Sequence, residues 1–187
     1  MPNNTEMGRY NLIAIILHWV MAIAFFAMLG TGITMVNFEI DPSLKFKMYQ
    51  WHKSMGTLLF LAFFMRLIWR LWHKPPALPK TMKKWDIKAA KFGHWGLYAL
   101  MIAMPISGWV MVSSSVYGLP TIVFGWFEWP HINAVVGNEV INSLSNKIHE
   151  VLGWIFIAMI VGHVGAVIKH HLFENINLLS RMGIGKS

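Results

Sequence analysis

Residues 148–171 read IHEVLGWIFIAMIVGHVGAVIKHH. No charged side chain interrupts the chain between Glu150 and Lys169. Such a run is nearly long enough to cross a bilayer core, which takes about 20 apolar residues. Two histidines belong to it, His149 at one edge and His163 well inside. Their spacing of 14 residues puts them within roughly 40° of the same helix face and about 21 Å apart along the axis. One face of one helix therefore offers an imidazole at each of two depths. Ionisable groups at membrane depth are costly, and function is their default reading. The bland alternative is a hydrogen bond to a neighbouring helix.

Three further apolar runs lie outward from this one. The expected spans are about 11–36, 49–72, 92–113 and 146–173, with Pro105 a kink in the third. The first is too long for a signal-peptide core and lacks a small-residue cleavage site, so it counts as a span. The expected fold is an all-α bundle of four transmembrane helices, one domain over 1–187. Of the 187 residues 56% are hydrophobic and 13% charged, where a soluble domain carries about 25% charged residues. Disorder is excluded on the same ground. The connection 75–91 holds Pro75, Pro76 and Pro79 before a lysine cluster. The connection 114–145 is expected to carry short interfacial helices, with Trp126 and Trp129 at headgroup depth.

The net charge is +8. One side of the expected bundle collects Arg9, Arg66, Arg70, Lys74, Lys80, Lys83, Lys84, Lys88, Lys91, Lys169, Arg181 and Lys186. The other has Lys45, Lys47, Lys53 and Lys147. Twelve against four places both termini in the cytoplasm. The basic stretch 74–91 then reads as a topology determinant in contact with lipid headgroups, not as a nucleic-acid surface.

The chain has no cysteine. Disulfides, cysteine-ligated iron–sulfur clusters and covalent haem attachment are thereby excluded. The histidines carry the remaining information. Helix two enters from outside with His52 in its first turn, at the depth of His149. Helix one enters from inside with His18 about seven residues in, near the depth of His163. The expected pairs are His52 with His149 and His18 with His163. Two histidines facing each other between helices can hold a haem iron from both sides. Gly56 and Gly153 follow His52 and His149 at the same offset of four residues, one turn along the ligand's face, where a side chain would obstruct a porphyrin. Gly162, Gly165 and Ala166 surround His163 in the same way. Close packing by small residues is the alternative.

Arg66 and Arg70 sit one turn apart near the inner end of helix two. Arg66, the deeper, is expected to neutralise haem propionates, and Arg70 to snorkel to lipid phosphates. His170, seven residues past His163, is a rival ligand. His94 opens helix three on the inner side. His94 and His170 are expected to line a quinone site with Lys88 and Lys91 nearby, because histidine can supply the protons that quinone reduction consumes. Trp85 and Trp95 are its expected apolar walls. His73, His131 and His171 carry no assigned chemistry. Lys53 and Glu150, each directly after an outer ligand, are expected to approach one another.

The motifs ILHWVMA around His18, QWHKSMG around His52, MRLIWRL, GHWGLYALMIAMPISGWVM and the opening stretch resemble the bacterial cytochrome b561 family. The resemblance covers nearly the whole chain. It implies a four-helix bacterial inner-membrane protein with two noncovalent b haems, with His18, His52, His149 and His163 as axial ligands. It also implies electron exchange with ubiquinone or another quinone, and in some members oxidation of external superoxide. The expected function is electron transfer between an outer donor, superoxide or a periplasmic redox protein, and membrane quinone. No side chain is assigned as catalytic and no nucleic acid as partner. The rival readings are a membrane anchor and electron conduit for a separate redox enzyme, and a metal or proton transporter using the histidines directly. On the outer side four lysines meet five acids, Glu39, Asp41, Glu128, Glu139 and Glu150. Only the local group Lys45, Lys47 and Lys53 would draw in an anion.

Overall fold

The computed structural model describes residues 8–79 and 81–185. Lys80 and Lys186, counted in the charge asymmetry, lie outside the described residues. The long helices are α1 (Leu12–Asn37), α2 (Pro42–Trp72), α3 (Lys84–Ser113) and α4 (Glu139–Phe173). All four are long and apolar enough to cross a membrane. A two-stranded sheet, β1 (Thr121–Val123) with β2 (Phe127–Trp129), and a 3-10 turn (Asn133–Val135) fill the α3–α4 connection. A short α5 (Leu178–Arg181) follows α4.

Helices α1, α2 and α4 begin at polar caps, while α3 begins after Lys83 with no side-chain cap. Asp41 accepts from the amide of Leu44 at 3.0 Å, with Pro42 at the first helical position. Asn138 accepts from Ile141 at 3.0 Å. Such caps satisfy amides that a helix start leaves bare. Helices α2, α3 and α4 start seven or eight residues before the expected spans of 49, 92 and 146. Charge-free length measures the membrane-crossing part only, and the first turns stand outside it. The basic segment 84–91, expected as linker, is the opening of α3. Helix α3 also runs through Pro105 without interruption.

Helix α3 packs along α4 and α1 along α2, with α2 against α3 closing the bundle. The core is one apolar layer drawn from all four helices: Met21, Leu59, Phe63, Leu100, Met101 and Phe156. Phe156 stands seven residues from both His149 and His163, so this layer lies midway between them. Phe25 meets it edge-on at 5.0 Å. Outward, Leu12, Ile16, Val20 and Ile23 share one exposed face of α1. Apolar surface of that kind on helices of this length belongs against lipid.

The two ends of the bundle differ. At one, the hairpin docks on α2. Lys53 Nζ donates to the carbonyl of Pro120 at 3.0 Å, and the Ser54 hydroxyl accepts from the amide of Phe124 at 3.2 Å. Phe124 and Gly125 have φ of +48° and +79°, as a primed hairpin turn requires. The connection expected to hold short helices thus holds a hairpin and one short 3-10 turn.

At the opposite end the segments at Gly8 and at Arg181–Met182 meet the α2–α3 connection. Arg181, only 3% exposed, donates to the carbonyls of Gly8, Pro76 and Ala77 at 3.3, 2.7 and 2.9 Å. Trp19 Nε1 donates to the Met182 carbonyl at 2.9 Å. Arg181 was counted as one inner charge in the sequence, and it is a buried clasp for three chain segments.

Candidate functional site

The bundle brings the expected histidines together in two pairs. At the hairpin end the rings of His52 and His149 stand 6.5 Å apart, centre to centre. At the terminal end His18 and His163 stand 6.3 Å apart. Two imidazoles on one metal ion would be separated by about 6.2–6.4 Å, from metal–nitrogen bonds of about 2.0–2.1 Å and roughly 1.1 Å from ring nitrogen to ring centre. The inner pair falls in that range and the outer pair within about 0.1 Å of it, so each pair could hold a metal such as haem iron between its rings.

The second nitrogen of each hairpin-end histidine is already engaged. Thr31 Oγ1 donates to the Met28 carbonyl at 3.0 Å and lies 3.1 Å from His52 Nδ1. Its single proton is spent on the carbonyl, so it accepts from Nδ1–H. Ser107 repeats the arrangement from α3. It donates to the Met104 carbonyl at 2.8 Å and lies 2.9 Å from His149 Nδ1. Both rings are held with the Nε2 lone pair free for a metal. A cavity between them is lined by Met28, Gly56, Phe60, Met104, Gly108 and Trp129, apolar enough for a porphyrin face.

The terminal end is built differently. Arg66 lies 3.2 Å from His18 Nδ1. Arginine can only donate, so this nitrogen is the acceptor. Arg70, expected to reach lipid phosphates, lies over the Tyr98 ring at 5.2 Å, where a cation is attracted to the π face. His94 does not open α3 at the surface. It sits ten residues into the helix, and its ring is 5.8 Å from that of His163. His170 belongs to another group. Its Nδ1 lies 2.6 Å from Glu174 Oε2. That bond, with the ammonium of Lys169, holds the Glu174 carboxyl below the usual carboxylate range. Trp85 and Trp95 point outward, Trp95 at 77% exposure, and do not wall a cavity between α3 and α4.

The glycines divide. Gly56 lines the cavity. Gly153, Gly162 and Gly165 have open space within 4 Å of an added Cβ. Gly108, one residue past Ser107, was passed over in the sequence. A Cβ there would stand 3.2 Å from His149 Cε1. The expected approach of Lys53 and Glu150 does not occur. Lys53 reaches the Pro120 carbonyl, and Glu150 pairs with Lys147 at 2.8 Å. Adjacent helical residues point about 100° apart, so a residue beside a ligand need not face the partner helix.

The sequence profile described as prokaryotic cytochrome b561 matches residues 9–185. The chain belongs to the prokaryotic cytochrome b561 family. Two relatives from Escherichia coli strain K12 extend the match. Cytochrome b561 homolog 2 is 33% identical over 96% of this chain and 93% of its own length. Cytochrome b561 homolog 1 is 29% identical over 94% and 97%. This cytochrome is therefore a multi-pass membrane protein of the b type, a class that binds haem b and takes part in electron transfer.

Proposed function

We propose that the protein is a two-haem cytochrome of the bacterial inner membrane that moves electrons between a donor at the hairpin end and quinone at the terminal end. The observation that carries this reading is the pair of histidine couples, 6.5 and 6.3 Å across, on either side of one apolar layer. Haem b, when bound, supplies one-electron redox chemistry, and the protein supplies ligation, tautomer and dielectric. His52 and His149 hold the outer group, His18 and His163 the inner one. The Met21–Phe156 layer keeps water from the space between them. The charge asymmetry supports an orientation with the terminal end facing the cytoplasm.

Arg66 has a specific part. Ligation through His18 Nε2 leaves the proton on Nδ1, where a guanidinium cannot stay as donor. Arg66 is then free to pair with a carboxylate, the expected propionate partner. At the hairpin end, Lys53 and Lys147 are already bonded to Pro120 and Glu150. Of the local cluster expected to attract an anion, only Lys45 and Lys47 are left without such a bond. Superoxide thus stands beside a periplasmic redox protein as a donor to be compared directly.

Stopped-flow absorbance of the haem-loaded protein tests the reading. Superoxide and a reduced redox protein are offered in separate runs, with and without ubiquinone. Haem reduction by one donor, followed by reoxidation on adding quinone, is the expected result. His94→Ala and His170→Ala should keep the haem spectra and slow the quinone step. Parental rates in both variants would overturn the inner quinone site. A haem that no outer donor reduces would overturn the direction proposed.

The hydroxyl partners give a second test. Loss of a group that orients a metal-bound histidine typically costs 10- to 100-fold in metal affinity. Ser107→Ala and Thr31→Val should release haem to an excess of apomyoglobin faster by that order, from the outer site only. Release at the parental rate would show that the hydroxyls do not hold the ligands.

A further inference from the structure

A third constellation lies apart from both histidine couples, where α3 begins and α4 ends. Asp86, His170 and Glu174 each present a ligand atom, all within 4.8 Å of one another. Lys169 Nζ sits among them, 2.9 Å from Asp86 Oδ1 and 3.1 Å from Glu174 Oε1. His170 Nδ1 is 2.6 Å from Glu174 Oε2. One oxygen is left over. Asp86 Oδ2 is buried with no hydrogen-bond partner, on a residue only 9% exposed.

Two carboxylates thus share one ammonium, and one carboxylate oxygen is left without a partner. A buried carboxylate oxygen without a partner is costly and calls for an explanation. Lys169 is also the loosest member, with its side chain 47% exposed. A lysine head on a flexible stem can withdraw to water or headgroups while its methylenes stay in place.

We propose that Asp86, His170 and Glu174 bind a divalent transition cation of the zinc class, in exchange for the Lys169 ammonium. One imidazole nitrogen and two carboxylate oxygens form a donor set suited to such an ion, with a fourth position open to water. A dipositive ion neutralises both carboxylates, where lysine neutralises one. It also gives the orphaned Asp86 oxygen a partner. Metal–ligand bonds of about 2.0–2.2 Å require the three donors to draw together. Glu174, the first residue past α4 on the way into α5, can supply that movement. The bound ion ties the start of α3 to the end of α4. The site shares His170 with the quinone-side reading but does not depend on it.

Isothermal titration of zinc chloride into the haem-loaded, detergent-solubilised protein tests this directly. The parent should bind one saturable zinc ion at this site, and zinc should raise the unfolding temperature. Asp86→Asn should weaken the binding at least tenfold. Lys169→Met should tighten it severalfold, because the competing cation is gone. A role limited to salt-bridging predicts no such gain. Unchanged haem absorbance shows that each variant is folded. If Asp86→Asn fails that check, Lys169→Met decides alone. Zinc binding indifferent to Asp86→Asn, as adventitious capture by exposed histidines would give, overturns the proposal. So does binding that Lys169→Met weakens or leaves unchanged.

Discussion

His149→Ala should remove the outer of the two proposed haems or make it high-spin, and His52→Ala should act on the same one. The two rings face each other at 6.5 Å, and each is set by a hydroxyl bonded to its Nδ1. Losing either ring strips an axial bond, leaving the iron five-coordinate and high-spin or the site empty. His18→Ala and His163→Ala should act together on the other haem. The sites lie roughly 21 Å apart by helical rise, beyond the range at which substitutions ordinarily couple. Low-spin resonance signals should therefore fall by about half in each single variant, and haem content with them where the site empties. His94→Ala and His170→Ala should retain both signals. If His170→Ala or His94→Ala abolished the inner haem while His163→Ala spared it, the inner ligand assignment would be wrong.

Gly108→Leu should be nearly as damaging to the outer haem, although position 108 carries no ligand. The first added carbon would already stand 3.2 Å from His149 Cε1 and 3.5 Å from Nδ1. The remaining carbons must enter space held by the ring or the cavity beside it. Overpacking of this kind usually costs about 1–3 kcal/mol, and here the cheapest relief is to turn His149 away from Ser107. The outer haem is then lost while the Met21–Phe156 layer and the inner pair stay intact. Retention of the outer haem by Gly108→Leu, measured by pyridine haemochrome content, would show that the ring has room to move.

The bundle was legible because hydrocarbon thickness imposes a length on uncharged runs, and four such runs stand out. The histidine pairs were legible for a related reason. Helical rise converts sequence position into depth, and equal depth on facing helices leaves few partners to choose from. What escaped depended on contacts between distant segments. The strands of the 121–129 hairpin are three residues each, too short to show alternation. They are fixed by Lys53 and Ser54 from α2. Gly108 acts through a ring 41 positions away. Its only local signal was a small residue directly after Ser107 in PISGW. His94 and His170 were grouped as inner-surface histidines, but the structure separates them. His94 rests on His163, and His170 is bonded into the Asp86–Lys169–Glu174 group. Arg181 offered no hint, since a buried arginine needs three carbonyls that only the folded termini bring together.

Two haems in one short cysteine-free chain is the central claim, and counting them tests it most directly. Protein expressed with ample haem supply is purified, its polypeptide quantified by amino-acid analysis, and its haem converted to the pyridine haemochrome. About two haem b per chain, fully extracted by acidic acetone because neither is covalently attached, is the predicted result. One haem per chain, or none, would contradict the account.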